Sequence, residues 1–357
     1  MHDHSVSENF RPMRKLLSIC VPTYNRSTKL RFLYEQFLEY ASGAFASTVE
    51  VLVSDNSDAE HADKNQELFT RTLIRYVRNG KNIGYAGNLI QCAELCMGEY
   101  IWIISDDDPI LALHFSELLK LIEKPASRPD CVFIPYYNEN IFSDRLIVNR
   151  GIDWGNCQHF GDLLNRSGVP FTLFSSAVVK IDRSVFGLAK QYSQNDYVHM
   201  ILFLAMLRKE SKISYLPNPL IDYRRNYDFP CSIVRMADSM RDVFGFVFKK
   251  FAIRKSLKRD HEAWLLWLFH ERGGLYSFRA SAADRVTMRR RTIARPTVKG
   301  VILTALLQLP LWIFRPFYPF YITYKENLSF GHTAGYKYFK RVQAMRNFIR
   351  ERKERGE

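Results

Sequence analysis

The sequence predicts an α/β fold, a mostly parallel sheet with helices on both faces, followed by a helical C-terminal region. Three observations predict it. Short apolar runs of strand length alternate with longer amphipathic stretches, which is the pattern of βαβ units. The runs Leu16–Val21 and Tyr100–Ile104 are apolar at nearly every position rather than every second one, as strands buried on both faces are. Beyond Pro230 the strand signals stop and helical spacing takes over.

The elements follow in order. LLSICV, closed by Pro22, is the first strand, and Ser27 is placed to cap a helix over 28–40, where Leu30, Leu33, Phe37 and Leu38 share a face. Val49–Val53 is the second strand, ending in the polar cluster Ser54–Asp58. A polar helix leads to a strand over 73–77, and the turn Asn79–Gly84 opens a helix over 86–97 that Gly98 ends. Strand Tyr100–Ile104 runs into Ser105-Asp106-Asp107-Asp108, and a helix over 110–123 precedes a strand over 131–135.

The chain has 357 residues, 47% of them hydrophobic and 25% charged, values that suit a packed globular protein and exclude disorder, collagen and coiled coil. Its net charge of +14 is unevenly placed. Residues 1–230 hold 25 Lys and Arg against 27 Asp and Glu, whereas 231–357 hold 26 against 10. An anionic partner is therefore expected of the last third alone. No recognisable nucleic-acid-binding motif is present, so nucleic acid is not the expected partner. The six cysteines lack metal or disulfide spacing and read as buried free thiols in a reducing compartment. The first 14 residues have no apolar core, so no signal peptide is expected, and the division is 1–14 as a disordered terminus, 15–230 as a catalytic domain and 231–357 as a helical region.

In parallel sheets, ligands sit beyond the carboxyl ends of the strands. Four such ends carry ligand-binding residue types: Pro22–Asn25, Asp55 and Asn56, Asn82–Asn88, and Asp106–Asp108. Three successive aspartates repel one another unless a cation or donors offset them. A hard divalent ion, completed by a diphosphate, is one reading; an acidic helix cap before Pro109 is the other.

The successive segments LSICVPTYNR, VEVLVSDNSD, NIGYAGN and GEYIWIISDDD resemble, in order and spacing, the nucleotide-binding half of family 2 glycosyltransferases, which have the GT-A fold. The resemblance is close over about 15–137 and looser to about 225. It implies an inverting, metal-dependent transfer from a nucleotide-diphosphate sugar. Pro22, Thr23, Tyr24 and Asn25 would border base and ribose, Asp55 would bind the base with Asn56 beside it, Gly84 would let the backbone approach, and Asn88 would point to the donor. Asp106 and Asp107 would bind the donor, and Asp107 and Asp108 the Mg²⁺ or Mn²⁺ ion. Many family members have an acidic residue where this chain has Ser105, so the register of the motif is ambiguous. Asp196, opening an apolar helix over 199–207, would be the general base; the family's preceding Glu is here Asn195, and a plain helix cap is the alternative. The Q-x-x-R-W sequence of processive synthases is absent, which favours single addition, and Tyr223–Asn226 is either a cation for the diphosphate or a solvated turn.

The C-terminal third places five arginines over 285–295 beside VILTALLQLPLWIFRPFYPFYITY. Its longest uncharged part, 300–314, is too short to span a bilayer, and prolines break it. A cationic cluster beside an aromatic, amphipathic segment suits an anionic membrane surface; packing of a helical subdomain is the alternative. With the resemblance, this implies a lipid-linked oligosaccharide acceptor in bacterial O-antigen or capsular polysaccharide synthesis, at the cytoplasmic face of the inner membrane. A sugar nucleotidyltransferase would carry a glycine-rich loop after its first strand, and VPTYNRS has no glycine. An inactive membrane adaptor of the same fold is the rival that Ser105 and Asn195 keep open.

Overall fold

A computed structural model describes residues 15–125, 128–139, 145–148, 157–167, 173–223 and 233–252. The chain divides into two compact units. The first, 1–138, 145–227 and 238–261, holds nearly all the described elements; the second, 139–144, 228–237 and 262–357, lies almost wholly outside the described residues, and with it the basic and aromatic segments of the C-terminal third. Among the described residues, no helix is long and apolar enough to cross a membrane.

Strand β1 (Leu17–Thr23) is buried throughout except at Pro22 and lies between β2 (Val49–Asp55), buried at every position, and β4 (Tyr100–Ile103). All three are parallel, with Leu17 beside Val49 and Tyr100, and β3 (Arg75–Arg78) extends the sheet beyond β2. Burial on both faces explains the unbroken apolar runs. Pro22 comes after the last β1–β4 pair, Cys20 with Ile103, so its missing N–H faces no strand. On the far side of β4, β8 (Ala177–Lys180) is antiparallel to both β4 and β5 (Cys131–Phe133), and β9 (Ile213–Tyr215) pairs parallel to β5. The seven-stranded order is β3-β2-β1-β4-β8-β5-β9. A second sheet orders β10 (Ile221–Tyr223), β6 (Tyr136–Glu139) and β7 (Arg145–Val148).

Helices cover both faces. Helix α1 (Ser27–Ala41) lies against α2 (Ala59–Phe69) and β2, while α4 (Phe115–Glu123) brings Phe115 onto Trp102 and Tyr40 in the main core. Helix α3 (Gly84–Leu95) packs on β1 and β2 and meets α6 (Phe186–Lys190) and α7 (Val198–Met206), whose nine residues are all buried. Helix α5 (Phe160–Ser167) follows β7, and α8 (Ile233–Phe251) takes the chain past residue 230 while still packing with the first unit. The five described cysteines are buried free thiols, as expected; Cys231 lies outside the described residues.

Several boundaries differ from the sequence expectation. Ser27 is the first residue of α1 rather than its cap; Arg26 holds the cap position, and the Ser27 hydroxyl lies 2.9 Å from His61 Nδ1 instead. Helix α3 starts two residues early, at Gly84, whose φ of 79° a side chain would strain. Gly98 does not end this helix. It lies beyond the cap Cys96, at a crossing where its N–H donates to Ser18 Oγ, which in turn donates to the buried carboxylate of Glu50. A Cβ at Gly98 would stand 2.6 Å from Ser18 N and 2.8 Å from Tyr100 O, both backbone atoms of the central strands. Gly98→Ala is therefore expected to cost about 2 kcal/mol or more and to lower the melting temperature by several degrees in calorimetry, with the fold retained.

Candidate active site at the carboxyl edge of the sheet

The parallel register puts Thr23 beside Asp55 and Asp55 beside Arg78, so the turns after β1, β2 and β3 share one rim with the turn after β4. Backbone bonds tie them further: Asn56 N donates to Thr23 O at 3.0 Å and Asn79 N to Asp55 O at 2.8 Å. Asn25 sits at φ 53°, a conformation asparagine tolerates, and its amide bonds Asp58 twice, Nδ2 donating to Oδ2 at 2.9 Å and Oδ1 accepting from the backbone N–H at 3.0 Å. Tyr24 projects outward, 51% exposed.

Asp55 is fully buried. Its Oδ2 accepts from Asn65 Nδ2 and Tyr76 O–H, each at 2.7 Å, and its Oδ1 from Ser57 N at 2.8 Å. Burial, then the bond to this carboxylate, pushes the Tyr76 phenol well above its usual value. Asn88 is buried too: its Oδ1 accepts from Ser54 Oγ and Asn79 Nδ2, and its Nδ2 donates to the carbonyls of Ser54 and Thr23. Both residues were expected against the donor. In the structure their polar atoms are turned into the protein, where they make the floor that holds the turns in place.

Above that floor lies a cavity of about 430 Å³ lined by Tyr24, Asn56–Ala59 and Arg78–Asn82. Asn56 organises its far wall, donating to Asn82 Oδ1 at 2.6 Å and accepting from Asn79 Nδ2 and Ile83 N. Asn79 and Arg78 went unnoticed in the sequence, although the Asn-Gly pair that follows β3 marked their turn.

The three aspartates do not converge. Asp106, buried, accepts from Thr23 Oγ1 at 2.7 Å and pairs with Arg26 at 2.5 Å. Asp107 accepts from Ser105 Oγ and lies 3.1 Å from the same Arg26 nitrogen. Asp108, 1% exposed, is turned the other way and accepts from Ser175 Oγ at 3.1 Å. Among the described residues, no group of three or more His, Cys, Asp or Glu side chains is arranged to hold a metal ion. The expected pairing of Asp107 with Asp108 on one ion is thus not what the structure builds; Asp107 shares its cation with Asp106. Burial raises the Asp106 carboxyl above the usual range, against the pull of Arg26 and Thr23. Burial would lower the Arg26 guanidinium, but Asp106 and Asp107 more than offset it and its pKa is raised. Arg26 is a site residue that the sequence reading quoted within PTYNR but gave no role.

Asp196 stands two residues before α7, half-buried, with its backbone N–H donating to Ser239 Oγ at 3.0 Å. Tyr85, the second residue of α3, is 37% exposed; desolvation raises its phenol, and the charges of Asp196 and Tyr197 raise it further. Helix α3, whose first residue stands at the donor rim, packs on α7, which begins two residues after Asp196. Arg224, Arg225 and Asn226 lie outside the described residues.

Residues 18–180 match the sequence model of Glycosyl transferase family 2. They form a glycosyltransferase family 2 domain. The chain is 27% identical over 290 residues to the abequosyltransferase RfbV of Salmonella typhimurium, covering 75% of this chain and 84% of that protein. Among solved structures, S. aureus TarS 1–349 superposes with a TM-score of 0.53 at 15% identity over 78% of this chain and 79% of that one. Its complex with UDP-GlcNAc gives 0.54 over 79% and 82%. At that identity the likeness is one of fold, and the fold is GT-A. The protein is a glycosyltransferase whose donor is a nucleotide sugar.

Removing Arg26 from this glycosyltransferase leaves two neighbouring carboxylates without their cation. In metal-free buffer Arg26→Ala is expected to cost about 2–3 kcal/mol, below the range for a fully buried pair because the guanidinium is 29% exposed. Adding Asp106→Asn to that variant should recover most of the loss in a thermal melt.

Proposed function

We propose that this glycosyltransferase adds a single sugar, with inversion, to a hydroxyl of a lipid-linked oligosaccharide in O-antigen or capsular polysaccharide synthesis, with Asp196 as general base. The observation that carries the reading is the packing of α3 on α7, because α3 begins at the donor rim, where Asn56 Nδ2 reaches Gly84 O, and Asp196 stands two residues before α7. A base within reach of the sugar's far side is what an in-line displacement needs. As the acceptor oxygen attacks the anomeric carbon and the bond to the diphosphate breaks, Asp196 takes the hydroxyl proton; a positioned carboxylate contributes about 10²- to 10⁴-fold.

Around the donor, the cavity beside Tyr24 and Asn56 takes base and ribose, and Pro22, Thr23 and Asn25 form the loop beneath. Asp106 and Asp107 already share one cation between them, which is the property a hard divalent ion would use. Mg²⁺ or Mn²⁺ is held by one or two carboxylates and completed by phosphate oxygens, and Asp107, the more accessible of the two, is the ligand we assign, with Asp106 behind it. An ion held there by Asp107 would supply Lewis-acid neutralisation of the leaving diphosphate. Arg26 remains beside the diphosphate as a second positive group.

The basic, aromatic residues after 230 are assigned to an anionic membrane surface, the cytoplasmic face of the inner membrane. The likeness to RfbV makes an abequosyl group the first donor sugar to try.

Purified protein offered UDP-, GDP-, TDP- and CDP-sugars with a membrane extract as acceptor should release nucleotide in a metal-dependent way. Asp196→Asn should lower that release at least 100-fold with donor affinity unchanged, and Asp107→Asn should weaken the response to Mn²⁺. Formation of diphosphate from a sugar phosphate and a nucleoside triphosphate would overturn the reading. Separately, deleting 296–357 should abolish co-sedimentation with vesicles containing anionic lipid, and sedimentation equal to that of the full chain would remove the membrane assignment.

A further inference from the structure

Asn195 stands where family members carry a glutamate, and its surroundings explain the exchange. The side chain is 4% exposed, and both amide protons are used: Nδ2 donates to Ser239 O at 2.8 Å and to Asp242 Oδ2 at 3.2 Å. Its Oδ1 accepts from Tyr197 N at 2.8 Å, closing a turn around Asp196. Ser239, 4% exposed, makes a second tie through its hydroxyl to Asp196 N. The turn that carries Asp196 is thus tied to α8 through the Asn195 amide and through the Asp196 N–H.

The chemistry of this clamp requires an amide. A carboxylate at 195 would bring an acceptor against a carbonyl and a second carboxylate, with no proton to share. Asp242 is exposed, so solvent softens the repulsion of two carboxylates there, but the bond to the buried Ser239 carbonyl would be lost outright and the two charges would still repel. The same helix also reaches the other end of α7, where Lys250 Nζ donates to Leu204 O at 2.8 Å and to Ala205 O, the carbonyls that a helix C-terminus leaves unpaired. Burial lowers the Lys250 pKa to about 8. Helix α8 therefore grips both ends of α7, and aromatic contacts of Tyr192 with Phe246 and of Phe160 with Phe251 fix it in place.

The geometry points to Asn195, Ser239 and Asp242 as positioning residues for this reaction: they aim the carboxylate of Asp196, so that α8 is a working part of the catalytic unit. The inference rests on Asp196 being the base, and it adds that the residues after 230 act on turnover through α8 before any membrane contact.

Three variants in the full-length protein test it. Asn195→Asp is expected to lower turnover 10- to 100-fold while donor affinity, measured by calorimetry without acceptor, changes less than about twofold. Adding Asp242→Asn removes the like-charge contact and should return at least fivefold of the lost turnover. Ser239→Ala, which deletes one acceptor and packs no new group, should lower turnover more than it raises KM, with the melting temperature within a few degrees of the parent. Wild-type turnover in Asn195→Asp, or no recovery in the double variant, would overturn the clamp. Asp196→Asn, assayed alongside, keeps the two readings apart. Full turnover there removes the base itself, whereas background turnover there with an unaffected Asn195→Asp removes the clamp alone.

Discussion

The register of β1 against β2 and β4 is the constraint on which the site depends. Parallel strands of this kind are apolar along their length and end together, so their polar residues accumulate on one rim. There the buried groups must satisfy one another, because a buried polar atom without a partner costs about 1–3 kcal/mol. Asp55 and Asn88 show the consequence. Each is buried, and each gathers donors or acceptors from three or more separate segments. The turns that face a ligand are rigid because the residues beneath them are saturated. Polar side chains that look like ligand contacts in a motif can thus be the floor on which the contacts stand.

Electrostatics at the same rim rest on one shared cation. Asp106 and Asp107 are held side by side, a repulsive arrangement, and the guanidinium of Arg26 makes it tolerable. Arg26 is only partly buried and stands at the cap of α1. Thr23 and Ser105 donate to the two carboxylates and keep them aimed. The acidic pair thus has protein donors of its own on the rim.

The sheet was legible because strands buried on both faces leave an unbroken apolar run, and the four rim segments because turn residues follow each run. What the sequence hid was partnership over distance. Nothing near Asp55 announces that Asn65 and Tyr76 will close over it. The antiparallel insertion of β8 between β4 and β5 depends on chain crossings rather than on local pattern. Ser27 read as a helix cap because its type suits one, yet His61, brought close by α2, takes its hydroxyl. Arg26 was visible in PTYNR, but its role needs Asp106, eighty residues away, and the triplet of aspartates suggested three ligands where the chain's direction sends the third toward Ser175.

The two places where this chain departs from its family obey one rule. At 105, where many family members have an acidic residue, the Ser105 hydroxyl donates to Asp107; at 195, where they usually have a glutamate, the Asn195 amide donates to Asp242. In both, a neutral donor now faces a carboxylate that the fold has placed nearby. An acid retained at either position would set a like charge against half-buried Asp107 or exposed Asp242 and would remove the donated bond. Loss of catalysis would leave such positions free to drift without regard to their surroundings. Here each replacement is matched to a particular oxygen, and the matched oxygens lie beside the residues assigned to the donor and to the base. That pattern belongs to a site kept in working order, and it weighs against an inactive adaptor built on the same fold.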